Sequence, residues 1–235
     1  LKGDGIDDFM STAAIDFTGT DAVSYWGGVQ KLSDTNAGVV FELGTDSATV
    51  NGTFGLLAPH TGTSSTFAFN SRGTAYAQAV ATGYASPYSG TISVANDIST
   101  PSLSIAVNTD AAFTNGATQG TGNYSSNPVY FMSRAGTSNF FGGQVYSSIL
   151  LGRAATPTEA ANSKAWVAEK QGAPLLPDIT SIIAGDSDDL GLVFGYSQGG
   201  EFGVAGSKLP VNGAINGYEV YTLMALDLGD GLTIY

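Results

Sequence analysis

Two acidic trios are the densest groups of ligand-type side chains in the chain: Asp4, Asp7 and Asp8 in GDGIDDFM, and Asp186, Asp188 and Asp189 in GDSDDLG. Carboxylates this close suit a hard cation, which takes several oxygens at one point. Neither trio completes an EF-hand loop, which must end on an acidic ligand. The plainer expectation is that Asp7 and Asp8 lead into a strand and that Asp186, Asp188 and Asp189 form a solvated loop. Hydrolytic chemistry has less to build on. The single histidine, His60, sits in the turn-rich APHTGTSS, and no GxSxG elbow is present, so His60 is expected to be an exposed loop residue rather than a base. Glu42 in VVFELGTD is an acid inside a strand pattern, but it alternates with Phe41 and Leu43 and is expected to face solvent.

Aromatic residues set in polar loops offer a second kind of chemistry, that of contact. Tyr84 and Tyr88 lie in GYASPYSG, Tyr124 in GTGNYSSN, Phe140 and Phe141 in SNFFGG, and Tyr196 in FGYSQGG. Rigid rings flanked by Asn, Ser and Thr give a sugar- or protein-binding surface large area at small entropic loss. These six are the candidate glycan- or receptor-binding residues; the competing expectation for each is a ring packed on the core with a wet hydroxyl.

Composition narrows the classes further. The chain has 235 residues, 43% hydrophobic, with only 12% charged against about 25% in ordinary soluble proteins, so hydroxyls and amides must cover its surface. A net charge of -12 with eight Lys plus Arg argues against nucleic-acid binding, which needs clustered cations. Cysteine is absent, which excludes disulfides, thiolate metal sites and a Cys nucleophile. No apolar run approaches the roughly 20 residues that span a bilayer, and no membrane insertion is expected. Leu1 and the closing GLTIY both look internal to elements, so the chain is expected to be a piece of a longer polypeptide.

The elements that must position these residues are mostly strands. Period-two alternation sets Val23, Tyr25 and Val29 on one face, Val39, Phe41 and Leu43 on another, then Phe67 with Phe69, Leu103 with Ile105 and Val107, and Val145 with Ser147, Ile149 and Leu151. Turn clusters such as SDTNAG and HTGTSS separate them, which predicts a sandwich or barrel. One helix is predicted in ATPTEAANSKAWVAEKQGAP: Thr156 caps it, Pro157 fills the first turn, Glu159 completes a capping box, and Gly172 with Pro174 stops it. Ser163, Trp166 and Val167 share a face, so Trp166 is expected against a sheet edge, with the helix plugging an open end of the core. After GAPLLPD short strands resume, with a hairpin at LDLGDGL where Gly229, Asp230 and Gly231 suit a tight turn.

Taken in order, GDGIDDFM, NPVYFMSRAGTSNFFGGQVYSSILLGRAATPTEA and AWVAEKQG resemble the concanavalin A-like, laminin-G-like jelly-roll domains, in the version found in bacteriophage virion and tail-associated proteins. GYSQGGEFG and NGAINGYEVYTL resemble small β modules near the C-termini of phage tail and virion proteins. The resemblance implies an all-β fold: a concanavalin A-like jelly-roll sandwich with one short lid helix over residues 1–173, and a small β-rich module over 174–235. It implies calcium as the cofactor to look for. Retaining glycoside hydrolases of the group carry Glu-x-Asp-x-x-Glu on one strand, and here Gly44 and Ser47 stand where two of the acids belong, so a hydrolase ranks a distant third.

The function implied is that of a non-enzymatic virion structural protein, a tail fibre, spike or head decoration in the extracellular particle. Its partners would be other virion proteins and a host surface glycan or receptor, and its form a homo-oligomer, most simply a trimer. The alternative is a secreted or cell-surface bacterial lectin-like carbohydrate-binding module.

Overall fold

The computed structural model describes residues 1–171 and, beyond them, the backbone of six short strands. The chain divides into Leu1–Gln171 and Gly172–Tyr235. The first unit holds twelve strands and one helix: β1 (Lys2–Asp4), β2 (Met10–Asp16), β3 (Ala22–Lys31), β4 (Val39–Leu43), β5 (Thr53–Leu57), β6 (Thr66–Arg72), β7 (Tyr76–Thr82), β8 (Tyr88–Asp97), β9 (Ser102–Val107), β10 (Phe113–Asn115), β11 (Ser126–Phe131), β12 (Gly142–Leu151) and α1 (Pro157–Lys170). They form two antiparallel six-stranded sheets, a front sheet in the order β1-β12-β3-β8-β9-β10 and a back sheet in the order β2-β11-β4-β5-β6-β7. The crossovers between the sheets make this a jelly-roll sandwich.

Alternation decides which side chains meet between the sheets. From the front come Val23, Tyr25 and Val29, with Ile92, Val94, Leu103, Ile105 and Val107; from the back come Phe41, Leu43, Phe54, Leu56, Phe67 and Phe69. Phe41, Phe54, Phe67 and Phe69 are fully buried, and burying each ring contributes about 2 kcal/mol. Phe54 and Phe69 stack with centroids 6.1 Å apart, and Phe41 meets Tyr25 across the sandwich at 4.3 Å.

The last strand departs from the expected alternation. Pairing of β12 with β3 shifts between Val145 and Ser147, so Tyr146 is an extra residue. Val145 lies opposite Val29, but beyond the bulge it is Ser148 and Leu150 that lie opposite the inward-facing Gly27 and Tyr25. Leu150 therefore packs against the core, while Ser147, Ile149 and Leu151 turn outward. A bulge reverses which face every later side chain takes.

The helix has the predicted cap. The Glu159 N–H donates to Oγ1 of Thr156, the Thr156 N–H donates to Glu159, and Pro157 opens the first turn. Its position and contact face differ from expectation. It lies across β3, β8 and β12, on the outer face of the front sheet rather than at an open end of the core. Val167, not Trp166, is its buried residue; Trp166 is 45% exposed. Trp26, on the outward face of β3, is buried to 4%. Gly28 lets the end of the helix come close, since a Cβ there would stand 3.1 Å from Cβ of Gln171.

In the second unit the described strands pair as β13 (Val193–Tyr196) with β14 (Phe202–Ala205), β15 (Gly213–Ile215) with β16 (Tyr218–Val220), and β17 (Leu226–Asp227) with β18 (Thr233–Ile234). The last pair is antiparallel, in keeping with the hairpin at LDLGDGL; Gly229, Asp230 and Gly231 lie outside the described residues.

Candidate functional site

The outer face of the back sheet carries a line of residues held by strand register alone. Tyr130 of β11 lies opposite Glu42 of β4, Glu42 opposite Gly55 of β5, Gly55 opposite Asn70 of β6, and Asn70 opposite Gln78 of β7. Directly opposed residues share a face, and this face points away from the core because Phe41, Phe54, Phe69 and Ala77 alternate with it.

Glu42 is fully buried in this line, which overturns the expectation that it faces solvent. Its carboxylate is surrounded by donors. The N–H and Oγ of Ser47 donate to Oε1 at 2.7 Å and 2.6 Å. Nη2 of Arg134 donates to Oε1 at 3.2 Å and Nε to Oε2 at 3.0 Å. Nη1 of Arg134 lies 3.2 Å from Oδ1 of Asp46, so one guanidinium bridges two acids. A bidentate Arg–carboxylate pair of this kind is among the stronger polar contacts. Asp46 is held in turn by the Ala48 N–H at 2.9 Å and Oγ1 of Thr49 at 2.8 Å.

The network continues across the sheet. Asn70 donates from Nδ2 to Oγ of Ser47 at 3.3 Å, while its Oδ1 accepts from the Tyr76 hydroxyl at 3.1 Å and from Nε2 of Gln78 at 2.8 Å. Gly55 makes room at the centre: a Cβ there would stand 3.1 Å from Cγ of Glu42 and from Oγ of Ser47. A glycine inside a strand commonly marks such a close approach. Tyr76 is 39% exposed, and its hydroxyl is raised above its ordinary pKa by burial and then by Asp46. Tyr130, Gln78 and Arg134 are half-buried at the surface. Arg72 pins the neighbouring loop, donating from Nε to Oδ1 of Asn51 and from Nη1 to the Ala48 carbonyl, each at 2.9 Å. The sequence offered one signal for this site, an acid in a strand followed five residues later by Ser47, but Arg134 is 92 positions away and its role needed the fold.

The candidates named from sequence fall elsewhere, and three are corrected by burial. Tyr124 is 2% exposed; its ring meets Phe54 edge-on at 4.8 Å, and its hydroxyl pairs with Oγ of Ser71 at 2.8 Å and with Nδ2 of Asn96. Burial raises its pKa. Phe141 is fully buried and Tyr84 nearly so, both within the core cluster between the sheets. Tyr84 packs on Phe67 at 5.9 Å and donates to Oδ2 of Asp110 at 2.9 Å; burial, with Asp110, pushes its pKa up to about 12. These three rings are core, and none presents a face to a ligand.

Tyr88 and Phe140 are half-buried. Tyr88 meets Tyr84 edge-on at 5.0 Å, and its hydroxyl accepts from Nδ2 of Asn108 at 2.9 Å. The side chain of Tyr196 lies outside the described residues, as do Asp186, Asp188 and Asp189. His60 is half-buried rather than exposed, and burial lowers its pKa.

Asp4, Asp7 and Asp8 do come together, with one carboxylate oxygen of each within 4.8 Å of the others, all three exposed. Calcium takes about six to eight oxygens. The trio supplies three carboxylates, and two of their oxygens accept backbone N–H groups, Asp4 Oδ1 from Ile6 at 2.8 Å and Asp8 Oδ2 from Asp4 at 3.2 Å. The arrangement is a hydrogen-bonded turn leading into β2, and its three carboxylates are fewer than the ligands calcium takes.

No protein-family model matches the sequence, and no curated protein matches it. Among solved structures, the chain is similar to the CBM40 of the Ruminococcus gnavus IT-sialidase at 12% identity, over 66% of this chain and 98% of that one, with a TM-score of 0.48. It is similar to domains LG4-5 of the mouse laminin alpha1 chain at 13% identity, over 66% of this chain and 42% of that one, TM-score 0.48. A heptameric SAP-like pentraxin from Limulus polyphemus matches at 8% identity, over 72% and 78% of the two chains, TM-score 0.48. At these scores the likenesses carry neither a function nor a site to this chain. The bacteriophage connection expected from the sequence finds no support among them.

Proposed function

We propose that the jelly roll is a non-enzymatic carbohydrate-binding module whose site is the outer face of the back sheet, along the line from Tyr130 through Glu42, Asn70 and Gln78. The observation that carries this reading is the prearranged network. Arg134, Asn70, Tyr76 and Gln78 are each held by another protein group, so binding need not freeze these side chains. Arg134 uses three N–H contacts on Glu42 and Asp46, and a guanidinium has further donors to offer. Gln78, the Tyr130 hydroxyl and the half-exposed Tyr76 ring complete a strip with donors, acceptors and an aromatic surface. Such a strip matches the hydroxyl groups and apolar faces of a sugar.

The same geometry speaks against hydrolysis. A glycosidase needs one carboxyl group to give up a proton and another to act as nucleophile or base. Glu42 and Asp46 already have their oxygens engaged by Ser47, Arg134, Ala48 and Thr49. The test is a glycan array on the purified chain, followed by titration of the best ligand against Tyr76→Ala and Gln78→Ala. Each change is expected to weaken binding about tenfold, the worth of one well-placed polar contact. Trp166→Ala, on the opposite face, is expected to leave it unchanged. Binding that survives both changes, or an array without a single ligand, defeats the assignment.

A further inference from the structure

The two lateral sides of the sandwich are finished differently. On one, β7 packs against β9 and β10 and closes the gap between the sheets. On the other, β1 covers only Gly142–Gln144 of β12, and Leu1 takes the backbone groups of Val145. From Tyr146 to Leu151 that edge of β12 has no strand beside it among the described residues. On the same side β2 is the last strand of the back sheet, and none of its seven residues is buried.

Register shows what this leaves open. Met10 lies opposite Phe131 and Ile15 opposite Asn127, and both partners share a face with the buried Val129. Met10 and Ile15 therefore turn toward the other sheet, yet remain 42% and 39% exposed. Leu1, Ile6 and Phe9 are exposed as well, so five of the nine exposed large apolar residues among the described residues fall in the first fifteen positions. Acids are interleaved with them: Asp4, Asp7, Asp8 and Asp16 are exposed, and Lys2 is the one Lys or Arg before residue 31.

We propose that this side is a docking edge for an extended segment of a partner protein in which basic and apolar residues alternate. The segment adds as a strand to β2, pairing the backbone edge that no strand among the described residues occupies, lays its apolar side chains over Met10 and Ile15, and sets its cations against the four acids. Strand addition supplies affinity through main-chain hydrogen bonds, and alternate side chains supply choice. A second copy of this chain is the wrong occupant, because pairing two such edges brings like charges together.

The test uses the full chain and a fluorescent peptide of alternating Lys and Val, as long as the seven-residue β2, with a Glu/Val peptide as its acidic counterpart. Expected in low salt is binding of the basic peptide about tenfold tighter than the acidic one, with slowed amide exchange in residues 10–16. The double variant Met10→Lys, Ile15→Lys, at positions already exposed, is expected to lower affinity about tenfold, and Asp8→Asn with Asp16→Asn, which keeps shape and removes charge, to lower it less. Equal affinity for the two peptides, no binding of either, or slowed exchange elsewhere overturns the proposal. So does a dimer in light scattering that the double Lys variant dissolves, since the edge would then serve self-association.

Discussion

The two outer faces of the sandwich solve one problem in different ways. Every strand that sends one side chain into the core sends the next outward, and those outward residues must be either covered or satisfied. On the front sheet a helix covers them: α1 lies over β3, β8 and β12, Trp26 is buried beneath it, and Thr91 donates to Oε1 of Gln171 at 2.7 Å near its end. On the back sheet no helix does this among the described residues, and Glu42, Ser47, Asn70 and Arg134 satisfy one another instead. A face covered by a helix can be apolar, whereas one that buries polar groups such as Glu42, Ser47 and Asn70 behind a surface rim must settle their hydrogen bonds internally. The second kind is also the kind that can bind.

If that distinction is right, the largest effect should come from breaking the network at its centre. Glu42→Ala removes the carboxylate and leaves Arg134 facing Asp46 alone. Removing one partner of a buried pair costs about 3–5 kcal/mol, and since the Arg134 side chain is 19% exposed, the lower end, about 3 kcal/mol, is expected. Urea unfolding measures it. Glu42→Gln keeps the shape and should cost less; equal losses would mean that volume rather than charge is what matters there.

The covered face gives a smaller effect with a different signature. Val167→Ala removes the one fully buried side chain of α1 and should cost about 2 kcal/mol, toward the low end for trimming a buried aliphatic group. In a Trp166→Phe background, Trp26 is the only tryptophan left, and its emission should shift to the red as the helix loosens. An unshifted spectrum at unchanged stability would show that the helix is not what buries Trp26.

Gly55→Ala sharpens the comparison on the back-sheet face alone. The added Cβ stands 3.1 Å from Cγ of Glu42, Oγ of Ser47 and the Phe41 carbonyl. Crowding of this size costs about 1 kcal/mol, and it should weaken glycan binding more than it lowers the thermal midpoint, because it displaces Glu42 and with it Arg134. A loss of stability with full binding would separate the network from the site.

Much of the fold was legible in the sequence, because burial on one face writes itself as alternation: Val23, Tyr25 and Val29, or Phe67 and Phe69, were readable as inward residues. The capping box of α1 was legible for the same reason, since Thr156 and Glu159 are neighbours on the chain. What failed depended on distance or on a single extra residue. The bulge at Tyr146 reversed the reading of Ile149 and Leu151, and nothing local announces a bulge. Glu42 was misread because its partner Arg134 is far along the chain, and an acid with no visible partner is reasonably placed in water. Tyr124 and Phe141 were read as loop rings because their neighbours are Asn, Ser and Gly; long connections of that composition can still fold inward when a ring has a place between the sheets. Tyr84, Tyr124 and Phe141 were misplaced where loops mislead, and the network was missed where register alone assembles it.

The smallest expected effect concerns the cap of the helix that makes the covered face what it is. Glu159 is pulled down from its ordinary 4.5 to about 2, first by its hydrogen bond to Arg153 and then by the Thr156 N–H. A carboxylate whose folded pKa is depressed contributes stability that is present above its unfolded pKa and lost as pH falls through the folded one. The contribution should therefore be whole above about pH 4.5 and fade toward pH 2. The group is exposed at the surface, so salt should shrink the effect. Comparing wild type with Glu159→Gln isolates the charge, because Gln can still serve in a capping box. The wild type should melt higher at pH 6, the gap should close at pH 2, and Arg153→Ala should narrow it at pH 6. A gap that is the same at both pH values would mean that the carboxylate acts at this helix only through its shape.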